Sequence, residues 1–149
     1  MNLLVAVDSS SESADALAYA IDIAEATDGS VTAAHAVDPA VYGRGGREPV
    51  SSLSDADQRL VIESIADAEQ RGFDVLEDAD ERAHELGHDI ETELLYGHPV
   101  GAITDYATRE GFDGIVLGHR GRSERAGYLL GSVAKEVVER ATLPVTVVR

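Results

Sequence analysis

Gly118-His-Arg-Gly121, then nine residues, then Gly131-Ser132: this run lies between a short apolar strand, Gly114-Ile-Val-Leu117, and a helix that reads from Ser132 through Ala141. Val133, Val137 and Ala141 fall on one face of that helix. A glycine-rich loop that opens a helix presents main-chain N–H groups lacking intrahelical partners, and glycine lets an anion approach the backbone closely. The run therefore predicts a nucleotide phosphate site. The same letters would also serve as a plain turn followed by a serine cap. Three glycines and a hydroxyl residue at fixed offsets around one strand-to-helix junction favour the phosphate.

Outward from that junction, β-type runs at roughly residues 2–7, 30–37, 89–95, 114–118 and 144–148 alternate with helical patterns. That alternation makes a parallel sheet covered on both faces. A first helix carries Ala14, Leu17, Ala18 and Ile21, with Ser9-x-x-Glu12 at capping-box spacing before it. A long second helix places Val61, Ile65, Ala68, Val75, Ala79, Ala83 and Leu86 on one face. Gly72 is its expected weak point and Gly87 its stop. A third begins near Pro99 and runs through Ile103 and Ala107 to about Glu110. Residues 38–53, with two prolines and three glycines, read as a loop that could serve as a lid. Nucleotides bind such doubly wound sheets at the carboxyl ends of the strands, where the strand order reverses. Asp8 ends the first strand and Gly118 the fourth, so two distant signals converge on one crevice.

The opening Leu3-Leu-Val-Ala-Val-Asp8-Ser-Ser, the His35-Ala-Val37-Asp38 segment, Gly97-His-Pro99, the run from Gly118 to Ser132 and the ending Leu143-Pro-Val-Thr-Val-Val148 together resemble the universal stress proteins. The likeness is to their ATP-binding branch, with its Gly-x2-Gly-x9-Gly-Ser/Thr signature, and covers nearly the whole chain as one domain, residues 1–149. It implies a five-stranded parallel sheet of order 3-2-1-4-5 with helices on both faces, Rossmann-like and close to the adenine-nucleotide alpha-hydrolase folds. It also implies ATP with magnesium as ligand, Asp8 beside the adenosine, the main chain of Val37 at the adenine edge, and a homodimer through the edge strand Val145–Val148.

The candidate nucleotide-binding residues are Ala6, Val7 and Asp8 after the first strand and Val37 after the second. Leu117, Gly118, His119, Arg120, Gly121 and Arg122 follow on the fourth, and Gly131, Ser132 and Val133 open the last helix. Asp8 can accept from a ribose or face a phosphate through magnesium and water; its plainer reading is a cap on the first helix. No direct protein ligand for a metal is assigned. Gly-x4-Gly-Lys-Ser/Thr is absent, and Lys135 lies a turn inside the last helix, so main-chain N–H groups, the Ser132 hydroxyl and the helix dipole must neutralise phosphate charge. Arg120, Arg122 and Arg125 are a local cationic excess that fits either phosphate contact or surface compensation. His119 stands where the family often has a small hydroxyl residue.

His84-Glu-Leu-Gly-His88 spells His-Glu-x-x-His, but a zinc hydrolase needs both histidines on one continuing helix face. Gly87 is expected to stop the helix between them. His35 reads as a packed strand residue, and His98 precedes Pro99 at a turn.

Charge bounds the rest. The 149 residues carry 28 Asp and Glu against 12 Lys and Arg, a formal net charge of −16, with Lys135 the only lysine. Such a field repels nucleic acid. It fits a protein working in molar salt, where self-repulsion is screened over a few ångströms. A salt-loving source is expected. There is no cysteine, so disulfide and thiolate chemistry are excluded. No apolar run reaches the roughly 20 residues of a membrane span, and the opening one ends at Asp8. A soluble, cytoplasmic protein is expected.

No nucleophile–base pair stands out, so no catalytic residue is assigned, and binding is favoured over turnover. The expected function is an ATP-binding stress-response sensor or switch, with at most slow hydrolysis. Its rivals are a nucleotide-independent dimeric scaffold for a protein partner, and a true ATP hydrolase or nucleotidyltransferase.

Overall fold

The computed structural model describes residues 1–39, 55–121 and 130–149, with residues 55–64 described as helical backbone only. The expected loop over 38–53 falls almost wholly outside these residues, as do Arg122 and Arg125. Five strands, β1 (Asn2–Ala6), β2 (Ser30–Val37), β3 (Glu91–Tyr96), β4 (Gly114–Gly118) and β5 (Val145–Val148), form one sheet. Every pairing is parallel, in the order β3-β2-β1-β4-β5. β3 begins two residues later than its sequence reading and runs on to Tyr96.

Side chains alternate across a strand, so the central strands feed two cores. Leu3, Val5 and Val7 of the β1 segment, with Val31 and Ala33 of β2 and Val116 of β4, pack against helices α1 (Ser11–Thr27) and α2 (Asp55–Glu85). Leu4, Ala34, Ile115 and Leu117 pack on the other face against α3 (Pro99–Arg109) and α4 (Ser132–Arg140). Leu4, Val5 and Ile115 are completely buried. Such a sheet needs apolar residues at consecutive positions, which is why β1 and β4 read as unbroken apolar runs.

Several local expectations change. The cap of α1 is Ser10, not Ser9: the Ser10 side chain accepts from Ser13 N–H at 3.0 Å, while Ser9 takes a left-handed φ of 67°. The buried face of α1 is Ser13, Ala16, Leu17, Ala20, Ile21 and Ala24, so Ala14 and Ala18 sit at its margin. Gly72 does not interrupt α2, which continues through it. A Cβ there would lie 2.6 Å from Leu94 Cδ1 and 3.3 Å from both His35 Cδ2 and Val37 Cγ2. The glycine lets α2 settle directly onto β2 and β3. Leu86, placed on the apolar face of α2, is exposed because the helix has ended at Glu85. In α4 the buried residues are Ala134 and Val137, while Val133 is exposed by its position in the first turn, beside the cleft described below.

Candidate functional site

The carboxyl ends of β1 and β4 open into a cleft of about 610 Å³, within the ordinary size range of small-molecule sites. Its lining includes Ala6, Val7 and Asp8 from the end of β1, and Leu117, Gly118, Arg120 and Gly121 from the end of β4. Gly131, Ser132 and Val133 of the α4 start complete the set, so ten of the sequence-derived candidates meet here. Val37 and His119 do not line it. Val37 is buried, and its carbonyl accepts from Gly97 N–H at 2.9 Å. Arg122 lies outside the described residues.

Asp8 is held by the turn that starts α1. Its Oδ1 accepts from Ser10 N–H at 3.0 Å and from the Ser10 hydroxyl, and its own N–H donates to Ser13 Oγ at 3.3 Å. Capping serine and cleft carboxylate are thus one network: Ser10 fixes the helix start with one lone pair and orients Asp8 with its proton. The other oxygen, Oδ2, faces Gly121, where a Cβ would lie 2.9 Å away. The left-handed Ser9 between strand and helix is the kind of backbone cost found where a functional geometry is over-determined.

The two glycines of the first pair have different reasons. At Gly118 a Cβ would meet the Glu12 main chain, 2.8 Å from its carbonyl carbon. This glycine brings the first turn of α1 against the end of β4. Gly121 leaves room for the Asp8 carboxylate. Gly131 N–H donates to His119 carbonyl at 2.6 Å, which closes the base of the intervening loop. That donor is engaged by protein, and the main-chain donors of the α4 start are those further in: Val133 and Ala134 occupy the first turn, where a helix supplies no carbonyl of its own. The N-cap is Gly131, with Ser132 as the first helical residue.

Arg120 is the cation the described loop contributes. Its Nη2 lies 3.4 Å from Glu12 Oε1, and its Nε donates to His119 Nε2 at 3.0 Å. His119 in turn places Nδ1 3.3 Å from the Val148 carbonyl, which also accepts the His119 N–H at 2.8 Å. Because Nε2 accepts from arginine, Nδ1 carries the proton. The Glu12 carboxyl is held below its ordinary value, first by its own backbone N–H and the Ser11 hydroxyl, and less by Arg120 and His119.

The other wall was not legible in the sequence. His35, Arg71 and Val75 line the cleft from the α2 side, and Ala34, Ala36, Pro99 and Ile103 from the α3 side. His35 sits on β2 with its Nδ1 2.7 Å from the Val7 carbonyl. A histidine in an alanine-rich strand is a weak signal that could have been followed; nothing marked Arg71 in a helix full of charges.

The His-Glu-x-x-His string is divided by the end of α2. Gly87 takes φ 76°, its N–H donates to His84 carbonyl at 2.9 Å, and His88 N–H donates to Ala83 carbonyl at 3.0 Å, a Schellman stop. His88 then lies 3.6 Å from Glu25 of α1. Among the described residues no group of three or more His, Cys, Asp and Glu is placed to hold a metal ion, and no helix is long and apolar enough to cross a membrane.

The family model described as "Universal stress protein family" matches residues 1–149. The universal stress protein YxiE of Bacillus subtilis is 33% identical over 150 residues, covering 99% of this chain and 97% of its own. The universal stress protein UspA from Lactobacillus plantarum superposes with a TM-score of 0.79 at 28% identity, covering 100% of this chain and 97% of that one. A universal stress protein solved in complex with cAMP superposes with a TM-score of 0.70 at 29% identity, again over 100% and 97%.

Proposed function

Because the chain belongs to the universal stress protein family, we propose that it binds an adenine nucleotide, ATP with magnesium foremost, between β1 and β4 and passes occupancy on as a stress signal. The observation that carries this reading is the convergence of Asp8, Gly118, Gly121 and the first turn of α4 on one cleft. The cAMP complex of a relative supports adenine as the base. Residues 1–149 would act as one universal-stress domain.

The donor set suits a phosphate. First-turn amides of α4, the positive end of its dipole and the Arg120 guanidinium would receive the phosphates, and Gly121 would let them approach the chain. Asp8, pinned through Oδ1 by Ser10, would turn its Oδ2 to the ribose or to water on the metal. Magnesium would arrive with the phosphates and neutralise part of their charge, which matters in a cleft bordered by Asp8 and Glu12. Val37 and His119 would act from outside the lining, His119 by holding Arg120. Arg122, which follows Gly121 in the chain, would add a further cation for the phosphates.

We read the site as one that retains the nucleotide, with at most slow hydrolysis. The setting we propose is the cytoplasm of a salt-loving organism, with two copies joined through Val145–Val148, the edge strand of the sheet.

Calorimetric titration of nucleotide-free protein with ATP in molar KCl and magnesium tests the reading. Saturable binding near one per chain is expected. No binding at high protein concentration would overturn it and leave the partner-binding scaffold; turnover well above background, abolished in Asp8→Ala, would make the protein a hydrolase.

A further inference from the structure

We propose that a crevice of about 350 Å³ toward the carboxyl-terminal ends of α3 and α4 is a second ligand site, one that takes a small zwitterion of the α-amino-acid class. It lies apart from the nucleotide cleft. Pro99 and Ile103 of α3 and Ser132 to Ala134 of α4 border that cleft, whereas Thr104, Asp105, Thr108 and Arg109, with Arg140 and Thr142, line the crevice. The two linings share no residue, so this site stands whether or not a nucleotide binds in the other.

Opposite charges line this crevice without pairing. Arg109 is held on its own helix, its Nε 3.4 Å from Glu110 Oε1 and its guanidinium carbon 5.5 Å from the centre of the Tyr106 ring. Arg140 folds back along α3, where a Cβ at Gly101 would lie 4.0 Å from its Nη1. Among the described residues, neither Arg140 nor Asp105 makes a side-chain hydrogen bond or ion pair. The hydroxyls are already committed. Thr104 donates to the Val100 carbonyl at 2.8 Å and Thr108 to the Thr104 carbonyl at 3.0 Å, so both oxygens have only lone pairs left to offer. Thr142 Oγ, 3.4 Å from Thr108 Oγ, is then the donor of that pair and holds its proton loosely.

These groups decide the charge of the occupant. A bare anion would suit the two guanidinium groups, but it would also meet Asp105, the negative ends of α3 and α4, and the field of a chain with formal charge −16. A bare cation would suit Asp105, the threonine oxygens and the helix ends, and would be repelled by Arg109 and Arg140. A molecule carrying both charges satisfies both sets and, being neutral overall, is indifferent to the net field. Its carboxylate would take the Arg140 guanidinium and the Thr142 hydroxyl, and its ammonium the Asp105 carboxylate with the oxygens of Thr104 and Thr108. The volume is near the lower end for small-molecule sites, which suits an occupant of this size.

The test is a nuclear magnetic resonance titration of the full chain, read at its main-chain amides, with glycine, acetate and methylammonium at constant ionic strength and neutral pH. Glycine should give saturable shifts at Thr104, Thr108, Arg140 and Thr142, with a Kd in the millimolar range as befits exposed charges. It should bind roughly ten-fold tighter than acetate or methylammonium, each of which has one of its two charges, the step expected for one charge-assisted contact. In Asp105→Asn the advantage of glycine over acetate should disappear, and in Arg140→Gln its advantage over methylammonium. Both side chains are exposed, so both variants should fold. Acetate binding as tightly as glycine in the wild type would overturn the proposal and make the crevice a plain anion site. Absence of saturable shifts with glycine, shifts confined to the nucleotide cleft, or glycine binding unchanged in both variants would overturn it as well. Titration with ATP tests the other cleft separately, and its failure would leave this site untouched.

Discussion

Gly118 on β4 and Glu12 on α1 meet without a side chain between them: a Cβ at 118 would lie 2.8 Å from the Glu12 carbonyl carbon and 2.9 Å from its oxygen. Backbone on both sides leaves nothing flexible to give way. The contact brings the acidic first turn of α1 to the loop after β4, where Glu12 holds Arg120.

Gly118→Ala should therefore destabilise the fold by about 1–3 kcal/mol, the usual cost of overpacking. Chemical denaturation reads it directly. A stability equal to wild type would mean that α1 can retreat and that the contact is loose.

Gly121→Ala should behave differently. Its added methyl meets Asp8 Oδ2 at the surface of the cleft, so stability should change by less than about 1 kcal/mol. ATP affinity should fall by about ten-fold or more, because the Asp8 carboxylate must turn away from the added methyl and leave the orientation Ser10 gives it. Comparing the two alanines by denaturation and calorimetry separates the packing glycine from the cleft-facing one.

The Glu12 carboxyl sits below its ordinary value of 4.5 in the folded chain. A depressed carboxyl favours folding above its unfolded value, and that contribution is lost as pH falls from about 4.5 through the lower folded value. Glu12→Gln should accordingly lose stability relative to wild type at neutral pH and converge with it on acidification. A constant difference between the two from pH 7 to pH 3 would contradict the assignment.

A formal charge of −16 on 149 residues should make the fold depend on salt. Its melting temperature should rise between dilute buffer and molar KCl as repulsion is screened. A level melting temperature would remove the argument for a salt-loving source.

Sedimentation at micromolar concentration in molar salt should give a dimer, and a charged residue at Val147 should dissociate it. Monomer alone in the wild type would remove the proposed pairing of β5 edges.

The fold was legible because strands buried on both faces must be apolar throughout, and Leu3 to Val7 and Ile115 to Leu117 announce this without ambiguity. What the sequence hid were matters of single-residue phase and close approach. Ser9 and Ser10 are interchangeable as letters, and only the left-handed Ser9 decides which one caps α1. Gly72 reads as a helix breaker in one dimension and as a docking point in three, since its meaning depends on Leu94, His35 and Val37 from other elements. The glycine-rich pole of the cleft was readable because it is local in sequence. The α2 wall was not, because His35 and Arg71 come together only through the parallel crossover. A charge-rich helix also conceals one more arginine.

The amides of α4's first turn have a consequence for how this cleft can be mapped. Alanine scanning removes side chains, and those donors belong to the main chain; Val133→Ala or Ser132→Ala would leave every one of them in place. The proposed phosphate grip would tolerate wide drift in the letters that build it, provided the turn keeps its shape. Backbone-altering substitutions, such as proline at position 133 or an ester in place of an amide bond, are the probes to which it would answer.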